Sequence, residues 1–212
     1  MKLIAIGDIH GCLDELIELY DKIIGEIGNE DAKIIFLGDY VDRGPNVKGV
    51  LDFCMSLRNT DNIQHVFLMG NHEDILLTTV YADIAEATYR SFGVNNGDGI
   101  PFEYRVWMQK LGLIHTHGRY VFVHAGIDPS IADIYDQRGL NLLWTRDFDG
   151  YKGDYEGGWF VVRGHTPVFD GPIVTKNQIN LDTGCVFGGK LSAVIIDENQ
   201  GFVKFLDVKS KK

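Results

Sequence analysis

Three uninterrupted apolar runs, Leu3 to Ile6, Ile34 to Leu37 and Val66 to Met69, each stop at a glycine followed by a polar cluster. Strands with one wet face alternate apolar and polar residues, whereas runs without alternation belong to strands covered on both faces. The segments between them, LDELIELYDKII (13–24) and VKGVLDFCMSLR (47–58), carry apolar side chains at helical spacing. The first third therefore reads as strand, helix, strand, helix, strand, an α/β arrangement with a partly parallel sheet. A longer helical region is expected over 73–92, then a loop at NNGDGIP (95–101) and an amphipathic piece, FEYRVWMQKLG (102–112). From Ile114 the pattern changes to strands and turns: YVFVHAG (120–126), WFVVRGH (159–165), IVTKNQINLDTG (173–184), LSAVIID (191–197) and GFVKFLDV (201–208). A mostly antiparallel sheet is expected there, and the fold class is α/β, shading into α+β.

Each of the first three strands ends in a cluster: Gly7-Asp8-Ile9-His10-Gly11, then Gly38-Asp39-Tyr40-Val41-Asp42-Arg43-Gly44, then Gly70-Asn71-His72-Glu73. Carboxyl ends of strands in an open α/β sheet line one rim, so these loops should converge. Two later strands deliver His124 and His165 in the same way. Taken singly, Asp8 or Asn71 reads as a helix cap, and a lone histidine as a hydrogen-bonded core residue. Taken together, five strand ends bring many ionisable groups to one crevice, where they would repel and stay unsatisfied without a cation. An Asp, His and Asn donor set without cysteine suits a borderline divalent ion, manganese first, with iron or zinc as alternatives. Six ligands exceed what one ion keeping a water can use, so a two-ion site about 3.5–4 Å apart, sharing a carboxylate, fits the count.

The 212 residues, 45% of them hydrophobic, suit one domain with a sizeable core. A net charge of -10 disfavours polyanionic partners, so neither nucleic acid nor a membrane surface is expected. The N-terminal apolar run is too short for a signal-peptide core and no stretch approaches about 20 apolar residues, which points to a cytoplasmic setting. Cys12, Cys54 and Cys185 are far apart and lack CxxC spacing, so reduced thiols are expected rather than a disulfide framework. Composition does not fix the oligomeric state.

The motifs GDIHG, GDYVDRG, GNHE, HAG and GHT resemble those of the phosphoprotein phosphatase branch of the calcineurin-like metallophosphoesterases, in order and spacing, from Gly7 to about Leu191. IYDQRGLNLLWTRDF (134–148) and LDTGCVFGGKL (181–191) are similar to its bacterial and phage members. The resemblance implies a β-sandwich of two mixed sheets flanked by helices, with a dinuclear metal site at the strand ends. It implies one catalytic domain over 1–208, and the KSKK end (209–212) is expected to be a disordered tail. Asp8 and His10 would hold the first metal, Asp39 would bridge, and Asn71, His124 and His165 would hold the second. His72 would be the general acid, oriented by Asp42, while Arg43 and Arg146, with Asn71, would contact the substrate phosphate. The two metals would turn a shared water into the nucleophile for in-line attack. The substrate class implied first is phosphoserine or phosphothreonine in proteins, with phosphotyrosine or a small phosphate ester also served by such a site. The alternative is a symmetrical diadenosine tetraphosphate hydrolase, and a third reading is an inactive phosphate-binding module, which would have lost a ligand or the acid.

Other residues carry weaker signals. Glu73 is read as an acid favoured by the helix dipole and left out of the site. His115 and His117 share a strand face and read as a polar sheet surface rather than a further metal site. Arg163 is a minor candidate, because alternation on its strand can turn it away. Cys12 and Cys185 are expected to be buried, inert thiols near the site loops. The loop GYKGDYEGGW (150–159) suits substrate contact no better than plain exposure.

Overall fold

The structure is a computed structural model that describes residues 1–78, 85–147, 149 and 151–212, the side chain of Val203 excepted. Strands β1 (Lys2–Ile6), β2 (Ala32–Phe36) and β3 (Ile63–Phe67) run parallel, with Ile4 opposite Ile34 and Ile34 opposite His65. Their side chains alternate between two cores, which is why the runs lack polar residues. Ile4, Ile6, Ile34 and Phe36 face Leu16, Leu19 and Ile23 of helix α1 (Leu13–Ile27) and Val50 and Leu51 of α2 (Val47–Ser56). Leu3, Ala5, Ile35 and Leu37 face Phe122, Val162 and Ile179 of a second sheet. Each fully buried Ile, Leu or Phe here contributes about 1.5–3 kcal/mol.

The expected helical region at 73–92 is two helices, α3 (Asn71–Thr78) and α4 (Glu86–Phe92); the part over 79–84 lies outside the described residues. Helix α5 (Phe102–Gln109) follows, then β4 (Ile114–His117), β5 (Tyr120–Val123) and α6 (Gly139–Trp144). The chain continues through β6 (Phe160–Arg163), β7 (Ile173–Val174) and β8 (Gln178–Asn180) into the long hairpin β9 (Lys190–Asp197) and β10 (Gly201–Lys209). That hairpin joins the first sheet, in the order β10-β9-β1-β2-β3, antiparallel to β1. The second sheet has the order β4-β5-β6-β8-β7.

Two expectations change. The second sheet is mixed rather than mostly antiparallel, since β5, β6 and β8 run parallel through its centre. Parallel neighbours need long crossover connections, and α6 with its flanking loops supplies one between β5 and β6. The C-terminal residues are docked rather than disordered. After β10 ends at Lys209, the Ser210 N–H donates to Gly189 O at 2.9 Å and the Lys211 N–H to Glu15 Oε1 at 2.7 Å. The Lys212 Nζ donates to Val186 O at 2.6 Å. The backbone extends a strand and finds a buried carboxylate, which a reading of composition alone cannot foresee. Among the described residues no helix is long and apolar enough to cross a membrane.

Candidate metal centre and phosphate site

The loops after β1, β2, β3, β5 and β6 meet at one rim, and their backbones are strained. Among the described residues, the non-glycine positions with positive φ are His10, Asp39, Asp42, Arg43 and His165, at 44°, 54°, 67°, 65° and 70°. All five lie in the site loops. Such conformations cost energy and persist only where surrounding contacts over-determine them. Glu73 supplies many of those contacts: its buried carboxylate accepts the N–H groups of Asp39, Tyr40, Val41 and Gly70 at 2.8–3.1 Å. Burial, with Asp39 nearby, pushes its pKa up to about 7, against the pull of the Val41 and Gly70 N–H groups. Both oxygens accept two N–H bonds each, so the geometry requires the ionised form. Two glycines make room for ligand carboxylates: a Cβ at Gly70 would sit 2.1 Å from Asp39 Oδ1, and one at Gly164 2.0 Å from Asp8 Oδ1.

The predicted ligands fall into two groups that share Asp39. On one side His10 Nε2 lies 3.2 Å from Asp39 Oδ2; on the other, His124 Nε2 lies 3.5 Å from Asp39 Oδ1. Asp8 joins Asp39 and His124 with candidate ligand atoms all within 4.8 Å of one another. Asn71 Oδ1 lies 3.0 Å from both His124 Nε2 and His165 Nδ1, and those two nitrogens are 3.2 Å apart. The Nδ1–H of His10 donates to Val41 O at 2.7 Å and that of His124 to Leu37 O at 2.9 Å. Each Nε2 is then a lone pair pointing inward, the arrangement found when imidazole binds a metal. At the second group this leaves His124 Nε2 facing another acceptor, Asn71 Oδ1, a contact that a cation would make favourable.

Protonation agrees with that donor set. Burial, then His124 and Arg146, drops His165 to about 3, and burial also lowers His124, so both stay neutral and free to ligate. Burial opposes ionisation of Asp39, and its carboxyl falls well below the ordinary range only through positive charge at His124 and His10; with those rings neutral, a cation has to supply that charge. Burial, with Asp182 and Asp39 close by, pushes Asp8 well above its ordinary value, so Asp8 needs either a proton or a cation. These residues fit divalent metal ions.

His72 lies with His10 and Asp39, the candidate ligand atoms of all three within 4.8 Å of one another, and its ring is 4.7 Å from that of His10, edge to face. Its Nδ1–H donates to Asp42 Oδ2 at 2.7 Å. Burial works against the charged ring, but Asp42 and, more remotely, Asp39 raise its pKa, so it tends to carry a second proton on Nε2. A protonated imidazole cannot ligate but can donate. Asp42 is itself fixed by Thr88 on α4: the Thr88 hydroxyl donates to Asp42 Oδ1, and the Asp42 N–H donates to Thr88 Oγ1 at 3.0 Å. Both residues are fully buried.

Two exposed arginines border the cluster. An Arg43 guanidinium nitrogen lies against His10 Nε2, and its Cζ stands 5.4 Å from the Phe187 ring centroid. Arg146 donates to Thr166 Oγ1 at 3.0 Å and to His165 O at 3.4 Å. Neither Asp147 nor Asp149 pairs with it; Asp149 pairs with Arg163 at 2.7 Å. Arg163 is buried, tied also to Gln178 Oε1 and Gly164 O, and so braces the loop that carries His165 rather than facing the ligands. His117 pairs with Glu198 at 3.2 Å, in keeping with a polar sheet face, and His115 and His117 join no candidate metal group among the described residues. Cys12 and Cys185 are buried with Glu15 in a separate group, outside the ligand cluster.

Three contributors carried no sequence assignment. Glu73 was legible only as a helix-dipole acid, because its four acceptor bonds reach across 3 to 34 positions of chain. Thr88 sits 46 residues from Asp42 with no motif around it. Asp182, in LDTG, is a buried carboxylate whose Oδ1 accepts the Gly184 N–H at 3.0 Å; burial raises its pKa. Its motif was the one available signal.

A family model described as calcineurin-like phosphoesterase matches residues 1–202. A protein of Oceanobacillus iheyensis named bis(5'-nucleosyl)-tetraphosphatase PrpE, of the asymmetrical type, is 30% identical over an alignment spanning 100% of this chain and 94% of that protein. One of Halalkalibacterium halodurans with the same name is 27% identical over 100% of this chain and 95% of its own. A crystal structure of a cold-active protein tyrosine phosphatase superposes with a TM-score of 0.73 at 20% identity, covering 93% of this chain and 74% of that one, a likeness of fold.

Proposed function

The chain belongs to the calcineurin-like phosphoesterase family, and from that premise we propose that it is a metal-dependent hydrolase of dinucleoside polyphosphates, cutting a bis(5'-nucleosyl) tetraphosphate between its first and second phosphates. The observation that carries the substrate class is end-to-end similarity to relatives named for that reaction. It shifts the preference away from phosphoserine and phosphothreonine proteins, the class implied first by the motifs, and toward the dinucleotide alternative, with asymmetrical rather than symmetrical cleavage. Cleavage between the first and second phosphates, with water adding across that bridge, leaves a nucleoside monophosphate and a nucleoside triphosphate; cleavage in the middle would leave two diphosphates.

By the motif resemblance Asp8 and His10, with Asp39 shared, would hold one divalent ion, and Asn71, His124 and His165 the other, while Asp8 also lies within ligand reach of Asp39 and His124. Such a pair, when bound, supplies Lewis-acid charge and an activated water. Arg43 and Arg146 border the two groups of ligands and offer planar forks to phosphate oxygens. Asn71, whose Oδ1 lies 3.0 Å from both His124 Nε2 and His165 Nδ1, would contact the substrate phosphate as well as an ion. His72, whose Nδ1–H donates to Asp42, would offer a proton on Nε2 to the leaving oxygen. Asp42, gripped by Thr88, keeps that ring in one tautomer and one orientation.

The test is the manganese-loaded protein assayed side by side on diadenosine tetraphosphate, a phosphothreonine peptide and a phosphotyrosine peptide, compared by kcat/KM. The proposal expects the dinucleotide to lead by at least about tenfold, equivalent to about 1.4 kcal/mol of transition-state stabilisation. A phosphopeptide that leads instead returns the site to the protein phosphatase reading.

A further inference from the structure

Two bulky aromatic side chains are turned outward at opposite ends of the ligand cluster, each beside an arginine. Phe187 ends a 3-10 turn, Cys185–Phe187, capped by Gly184 and Gly188 in left-handed conformations. The turn buries Cys185 and Val186 and leaves Phe187 54% exposed, with the Arg43 guanidinium over its ring and reaching His10. At the other end, α6 buries Leu142 and Leu143 but leaves Trp144 37% exposed, its ring 6.4 Å from that of His165. Trp144 lines an open cleft of about 360 Å³ with Leu140, Asn141, Thr145, Arg146 and Asp147.

We propose that Phe187 and Trp144 are the platforms on which the two nucleobases of a dinucleoside polyphosphate stack, with Arg43 and Arg146 holding the phosphates between them. The inference rests on the substrate reading above and deepens it. Apolar rings do not by themselves name a ligand; the neighbouring charges do. A flat π-face beside a guanidinium, both at the rim of a cation-binding cluster, complements a base joined to a phosphate chain. One such pair suits a mononucleotide end. Two pairs, one by His10 in the first group and one by His165 in the second, suit a substrate with a base at each end. A phosphorylated side chain in a protein has no second ring to place. On the Trp144 side, Asn141, Thr145 and Asp147 stand around the cleft as hydrogen-bonding groups for a base edge.

The experiment uses Phe187→Ala and Trp144→Ala, with Phe187→Trp and Trp144→Phe as conservative controls, in the manganese-loaded full-length protein. Two quantities are read: KM for diadenosine tetraphosphate, and the inhibition constant of inorganic tripolyphosphate, which has phosphates but no base. Each alanine variant is expected to raise the dinucleotide KM about tenfold, in line with base stacking on a lost ring, with tripolyphosphate inhibition within about twofold of the parent. The aromatic swaps are expected to restore most of the KM. If the parent protein does not hydrolyse the dinucleotide, the substrate reading falls and the platforms with it. If the parent does hydrolyse it while both alanine variants keep its KM, the platforms alone are overturned. Equal losses for dinucleotide and tripolyphosphate would also overturn them, since the rings would then serve only to hold Arg43 and Arg146.

Discussion

Asp42 works at both ends: one oxygen accepts from His72 Nδ1 and the other from the Thr88 hydroxyl, while its own N–H donates back to Thr88. This doubly held carboxylate, at φ 67°, fixes where the His72 proton points. For His72→Asn, activity on an alkyl phosphate, whose leaving oxygen needs the proton, should fall by about 10²–10⁴. The loss on an aryl phosphate or on a dinucleotide, whose leaving groups depart as stable anions, should be much smaller. Equal losses on all three would remove His72 as the acid. Thr88→Val keeps the volume but removes both hydroxyl bonds. Asp42 raises His72, and the reactive form is protonated, so activity on the alkyl ester is lost as pH rises through that raised value. A loosened Asp42 raises it less, and the alkaline limb of the pH profile should move to lower pH in Thr88→Val and return in Thr88→Ser. An unmoved limb would reduce Thr88 to a packing residue.

At the scale of elements, the loop after β2 and the first turn of α3 act as one unit, joined by Glu73. The helix-dipole reading of Glu73 and the four-acceptor reading differ in magnitude. A surface acid in a first helical turn contributes about 0.3–1 kcal/mol, whereas a buried carboxylate that strands several N–H groups when altered contributes more, about 3 kcal/mol or above. Glu73→Gln replaces one acceptor oxygen with a donor facing N–H groups. Urea unfolding of the metal-free variant should show a loss of about 3 kcal/mol, and a loss below 1 kcal/mol would restore the simpler reading. The candidate ligands could be read from the sequence because they follow apolar runs that end at a shared rim. Glu73 and Thr88 were not, because their partners lie on other elements and no local pattern marks a hydrogen bond across 32 to 46 residues. The direction of β6 and β8 was hidden for a similar reason: apolar runs fix a strand's burial, while its direction depends on the path of the crossover.

For the whole molecule, a net charge of -10 must be reconciled with an anionic substrate. Two divalent ions would add about four positive charges at one rim and, with Arg43 and Arg146, would invert the local potential there. The metal-free protein should therefore bind inorganic phosphate poorly, and calorimetric titration with and without manganese reads this directly. Equal affinity in both forms would place phosphate recognition in the protein alone. The two-layer sandwich brings five strand ends to that rim and leaves an arginine and an exposed ring at each side of it. The account's central claim is that this rim cuts a dinucleoside tetraphosphate between its first and second phosphates. The most direct test is to incubate the manganese-loaded protein with diadenosine tetraphosphate and separate the products by anion-exchange chromatography. Adenosine monophosphate and triphosphate in equal amounts are predicted; adenosine diphosphate alone, or an intact dinucleotide alongside a dephosphorylated phosphothreonine peptide, would contradict the account.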